Sequence, residues 1–347
     1  MSSKRNHRFF QGPLFVIIGL ALTLIVPLMV SRYQQHLFIM IMFFAFSSTA
    51  WNLICGFIGE LSLGHAVYLG VGGYVSTLLL INVGLSPWIG MFAGAVLATI
   101  FGLIIGYPAL RLKGPYFTLT TIAFAEILRI WVENNEYIFG LDIKGSMGVV
   151  LPQYGNSFVA YEFDSKLAYY YIILGFLIIG IIITFLIKRS KLGFYLTAIK
   201  SDPDAAESLG IQLSKYKTIA MVISTFMIAF AGTFYAQYFR YVGPTRVFGI
   251  DLSIQIALIG LIGGQGTVFG PLFGALLLVP ISEFLAEQFG GSIPGLNLFI
   301  YGIIMILVVF FMPKGINDYI IRGFKWLGRK IVGSDETKES LDQGVKS

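Results

Sequence analysis

The chain has 347 residues, 56% of them hydrophobic and only 12% charged, with a mean hydropathy of +0.80. A soluble domain carries about 25% charged residues, so this composition excludes an ordinary water-soluble enzyme and points to packed transmembrane helices. The single cysteine, Cys55, excludes an intrachain disulfide or a cysteine metal site, and His7, His36 and His65 are too dispersed to form a metal cluster.

A helix needs about 20 apolar residues to cross the hydrocarbon layer. By that measure a tail at 1–12 precedes spans at 13–30, 37–55, 64–82, 86–109, 115–131, 168–187, 217–238, 251–264, 267–286 and 296–312. The expected fold is therefore all-α, a polytopic transmembrane helical bundle of about ten spans. The 251–264 segment is short for a crossing, and with 267–286 it reads equally as a broken or re-entrant pair.

Positive charge orients the bundle. With both termini in the cytoplasm, eighteen of the 24 Lys and Arg residues fall inside, among them six in the loop 188–217. The formal charge of +6 is thereby a topology determinant rather than a nucleic-acid surface. The largest external segment, 132–167, has the Asn, Gly, Pro and Tyr content of ordered turns rather than a folded domain. In 313–347, Ile320, Phe324, Leu327 and Ile331 recur at helical spacing among Arg322, Lys325 and Arg329, the pattern of a basic amphipathic helix on an anionic leaflet, followed by a polar tail.

Four segments stand out within this frame. Gly59-Glu60-Leu61-Ser62-Leu63-Gly64-His65-Ala66, continuing to Tyr68, interrupts apolar sequence between the second and third spans. Irregular chain at that depth must face protein or a water-filled cavity. Ser62, or free amides of a helix starting near Gly64, could receive a carboxylate there, and Glu60 and His65 are ionisable groups at the membrane. The plainer reading is a tight glycine-mediated crossing with Glu60 solvated. In the fifth span, Thr118, Thr120 and Thr121 either line a polar path or bond their own helix one turn back. Glu126, Arg129 and Glu133 follow on one helical stripe, as a gate, a docking point or a structural ion pair.

The third segment is polar: Asp202-Pro203-Asp204-Ala205-Ala206-Glu207-Ser208-Leu209-Gly210 lies between two basic runs. Asp202 is placed to cap a short helix, Pro203 suits its first position, Asp204 and Glu207 favour the positive end, and Gly210 is a stop signal. Such an element is either a docking handle or an ordinary interfacial loop helix. The fourth, Gly260 to Pro271, loosely repeats the glycines of 59–74 at an offset of 200, and broken segments in two halves of a transporter often flank the substrate. No phosphate-binding loop with a Lys, no metal spacing and no nucleophile beside a base is present, so the chain carries no visible ATPase of its own.

Taken together, Gly59–Ala66, Gly114-Pro115-Tyr116-Phe117, Thr121–Ile127, Ala198–Gly210 and Gly260–Pro271 resemble the permease subunits of ABC importers for branched-chain amino acids, the LivM-like family, in that family's order over residues 37–312. Lys144-Gly145-Ser146-Met147-Gly148 departs from it, standing where the family usually has a richer Gly-Gly-Ser turn. The resemblance implies a cell-membrane assembly with a homologous permease, two cytoplasmic ATP-binding subunits that use ATP, and an external substrate-binding protein. In it, the helix at 202–209 would couple to an ATPase. A permease for urea or short amides uses a very similar scaffold. An ion-coupled secondary transporter would need membrane acids such as Glu126 or Glu283 and would leave the capped loop unexplained.

Overall fold

The computed structural model describes residues 23–25, 27–112, 114–138, 140–289, 295–311 and 315–316. The cytoplasmic tail at 1–12, most of the expected span at 13–30 and the expected basic helix after 316 lie outside the described residues. Each of the nine remaining expected spans is a helix.

Helix α1 (Arg32–Ile58) starts earlier than its apolar run because Ser31 and Gln34 form a capping box at its N-terminus. Every residue from Ile39 to Ile58 is buried, so α1 is apolar all round and forms the centre of the bundle. Around it run α2 (His65–Val83), α3 (Pro87–Ala109), α4 (Pro115–Asn134) and α5 (Lys166–Arg189). The 188–217 loop forms two short helices, α6 (Lys191–Ser201) and α7 (Pro203–Ser208), before the long α8 (Leu213–Phe239). The turn α9 (Pro244–Val247) leads into α10 (Ile250–Gly264), then α11 (Gly270–Phe289) and α12 (Leu296–Phe311).

Seven described segments are long and apolar enough to span a membrane: α1, α2, α3, α5, α8, α9 with α10, and α11. Helix α4 falls short because Glu126, Arg129 and Glu133 sit on it, and α12 has only 16 residues. Helix α11 begins at Gly270 rather than 267, since Gln265–Phe269 serve as a linker.

Helices α2, α3 and α8 form one tightly packed trio, while α1 joins α5, α8, α10 and α11. Small residues let the trio close: a Cβ on Gly232 of α8 would overlap the Leu69 carbonyl oxygen, and one on Gly72 would overlap that of Ala229. Without a hydrophobic force between helices in lipid, such backbone approach supplies the packing that holds them. In the segment expected outside, strand β1 (Tyr137–Ile138) pairs with β2 (Leu141–Asp142), and β3 (Val149–Val150) pairs antiparallel with β4 (Tyr241–Val242), which follows α8. Arg240 adds an ion pair to Glu162 at 2.6 Å and a bond to the Pro152 carbonyl, tying the 132–167 segment to the end of α8.

Gly232→Leu is expected to force α8 off α2 and to cost about 3 kcal/mol, as overpacking of a close-packed contact does. Thermal unfolding of the detergent-purified chain checks this, with Gly175→Ala, where a Cβ meets nothing within 4 Å, as the near-neutral control.

Candidate functional site

Helix α1 stops because Gly59 takes φ +88°, a left-handed turn that closes its amide onto the Cys55 carbonyl at 3.1 Å. From there to Gly64, just before α2, the chain is irregular, and four side chains from three helices hold it and the start of α2. Trp51 Nε1 donates to the Ser62 carbonyl at 2.7 Å, and Thr118 Oγ1 donates to the Leu61 carbonyl at 2.7 Å. The Leu63 amide donates to Thr121 Oγ1 at 3.2 Å, and the Ala66 amide donates to Ser253 Oγ at 2.9 Å. Thr120 instead bonds the Tyr116 carbonyl one turn back on its own helix.

His65 is fully buried between two serines. The Ser224 hydroxyl donates to the Ala50 carbonyl at 2.6 Å, so its oxygen accepts from His65 Nε2–H at 3.0 Å, which leaves Nδ1 to accept from Ser62 at 2.9 Å. Tyr68, 2% exposed, meets the imidazole edge-on. The structure thus brings Glu60, Ser62, Gly64, His65, Tyr68, Thr118 and Thr121 into one region. The Ala66 amide, expected to be open to a ligand, is occupied by Ser253.

Glu126 belongs to a separate cluster. Arg129 bridges it to Glu133, with 2.6 Å to the second carboxylate, and Thr245 also donates to Glu133 at 3.0 Å. The ladder therefore ties the outer half of α4 to the α9 turn.

The linker between α10 and α11 is clasped by Asn52, a residue that sequence reading passed over. Its Oδ1 accepts from the Gly266 amide and its Nδ2 donates to the Thr267 carbonyl, both at 2.9 Å. A fully buried Asn inside the apolar run of α1 was the available signal. This linker packs on the last turn of α1, since a Cβ on Gly56 would stand 2.5 Å from the Gly266 nitrogen.

On the cytoplasmic loop, α7 has the expected caps. Asp202 Oδ1 accepts from the Asp204 and Ala205 amides, each at 3.0 Å, Pro203 occupies the first turn, and Gly210 at φ +83° ends the helix with its amide on the Glu207 carbonyl at 2.8 Å. Only Ala206 of α7 is buried, and Leu209 just beyond is 82% exposed. Beside α7 lies a cleft of about 620 Å³ lined in part by Pro203, Asp204 and Glu207 on one side, Arg111 on another, and Glu60 with Lys217. Lys217 Nζ meets Glu60 Oε1 at 2.8 Å, so Glu60 is paired rather than simply solvated.

A family model described as Branched-chain amino acid transport system / permease component matches residues 35–309. The high-affinity branched-chain amino acid transport system permease protein LivM of Escherichia coli is 27% identical over 321 residues, covering 87% of this chain and 74% of that protein. The probable branched-chain amino acid transport permease protein LivM of Methanocaldococcus jannaschii is 23% identical, over 72% of this chain and 77% of its own length. The fructose import permease protein FrcC of Rhizobium meliloti is 25% identical, over 65% of this chain and 62% of its own.

Replacing Asp202 by Ala is expected to destabilise α7 by about 1 kcal/mol, while Asp202→Asn keeps the cap. Hydrogen exchange at the amides of Asp204 and Ala205 reads the difference, faster in the first variant and near wild type in the second.

Proposed function

Because the chain belongs to the family of branched-chain amino acid transport permeases, multi-pass membrane subunits of ABC importers, we propose that α7 is its coupling element, seated against a separate cytoplasmic ATP-binding subunit. The observation that carries this is α7 itself. A six-residue helix in a membrane protein is marginal alone, yet this one is capped at both ends, leaves nearly all its side chains outside, and follows directly from the basic α6. A rigid, exposed, acidic-tipped helix between two long membrane helices suits docking into a groove of a partner.

The full assembly would hold a homologous permease, two ATP-binding subunits and an external binding protein that delivers the cargo, with both termini of this chain in the cytoplasm. ATP is used by the partners, and no cofactor is needed here. The cargo is a branched-chain amino acid, as the names of the LivM relatives suggest. The fructose permease among the relatives means that the scaffold alone does not dictate cargo. The path is assigned to the side bounded by the Gly59–Gly64 linker and α4, with Glu60, Ser62, Gly64, His65, Tyr68, Thr118, Thr121 and Glu126 along it. The hydrogen-bond network supports a linker positioned by several helices beside that path.

Asp204→Arg with Glu207→Arg is expected to abolish co-purification of the ATP-binding subunits and to lower uptake by about tenfold or more, as charge reversal across a docking surface does. Uptake that continues without any ATPase but collapses with the ion gradient, or labelling of 202–209 from the outside, overturns the reading.

A further inference from the structure

Three lysines flank α7; two reach the irregular segments of the bundle and the third reaches the last turn of α1 just ahead of one of them. Lys188, at the end of α5, donates to the Gly266 carbonyl at 3.3 Å. Lys200, two residues before the Asp202 cap, donates to the Gly56 carbonyl at 2.8 Å. Lys217, on the second turn of α8, pairs with Glu60 on the Gly59–Gly64 linker. Gly56 lies in the last turn of α1, where carbonyls lack amides of their own helix, and a cation there also complements the negative end of the helix dipole. Gly266 sits between α10 and α11, with its amide already given to Asn52. The methylene stem of Lys200 packs on Gly59, where a Cβ would stand 3.1 Å from its Cγ.

We infer that Lys188, Lys200 and Lys217 are positioning residues that carry displacement of α7 to both membrane linkers at once. This rests on the reading of α7 as the coupling element. The Gln265–Phe269 linker touches the last turn of α1, just ahead of the Gly59–Gly64 linker, so displacement of one bears on the other. Apolar burial of Leu196, Ile199 and Ala206 seats the loop on the bundle, whereas the lysines link it to the segments that interrupt the helices and to the end of α1 beside them. Ammonium-to-carbonyl bonds suit this task, since a flexible stem with three donors can exchange acceptors while the loop moves.

The test uses the complete transporter in proteoliposomes, with this chain, its homologous permease, ATP-binding subunits and binding protein, measuring substrate taken up per ATP hydrolysed. Lys188→Met, Lys200→Met and Lys217→Met keep the stem and remove the charge. The expected result is an assembled complex that hydrolyses ATP but whose uptake per ATP falls by about tenfold for Lys200→Met and Lys217→Met, and less for the longer Lys188 bond. Exchange of the pair, Glu60→Lys with Lys217→Glu, is expected to restore coupling that each single change removes. Wild-type uptake per ATP in all three methionine variants overturns the inference. So does loss of assembly in parallel with uptake, which would make the lysines purely structural. Failure of the wild-type chain to bind any ATP-binding subunit is distinct, and strikes the coupling reading itself.

Discussion

Backbone polar groups cannot be left unpaired away from water, and most of this structure's polar arrangement answers that one constraint. Two places interrupt the helices inside the bundle, Gly59–Gly64 and the residues between Gly264 and Gly270. Several polar residues on the helices around them bond the interruptions or the helix start beside them: Trp51 and Asn52 from α1, Thr118 and Thr121 from α4, Ser253 from α10. The hydrogen bonds do more than offset desolvation. Because each interrupted segment is held by several helices, its shape becomes a reading of how those helices sit relative to one another.

The contrast with the α2, α3 and α8 trio is instructive. There the backbones meet directly, with Gly72, Gly232 and Ala229 in contact and no room for a methyl group between α8 and Leu69. Such a joint is close-packed and does not adjust by small amounts. The linker region, built from side-chain bonds to loop carbonyls and amides, can exchange partners at modest cost. A rigid joint next to an adjustable one is the arrangement a moving membrane protein needs.

What the sequence made legible was local. Helices α1 to α5, α8 and α10 to α12 follow from apolar runs, and α7 follows from Asp202, Pro203 and Gly210 acting within a few residues of one another. The Glu126–Arg129–Glu133 ladder is likewise a matter of helical spacing. What it hid was distant in sequence. Nothing near Asn52 says that it clasps residues more than two hundred positions away, and nothing near Ser253 says that it caps α2 at Ala66. The expectation that the amides at the start of α2 wait for a ligand missed this, because a serine on another helix satisfies the same need. Glu60 was equally opaque, since its partner Lys217 looks in sequence like one more topology charge.

Helix α8 has a consequence of its own. Its 27 residues make a rod about 40 Å long, by the rise of an α-helix. Lys217 is near one end, and Arg240 with the Tyr241–Val242 strand adjoins the other, where it binds the outer lobe. Between them Gly232 rests on Leu69 without clearance, about 22 Å from Lys217 and about 14 Å from Tyr241. A beam borne on such a fulcrum turns a sideways push at its cytosolic tip into a shorter swing of opposite sense at the far tip. The 132–167 lobe is thereby geared to the Lys217 end of the helix through a single piece of secondary structure.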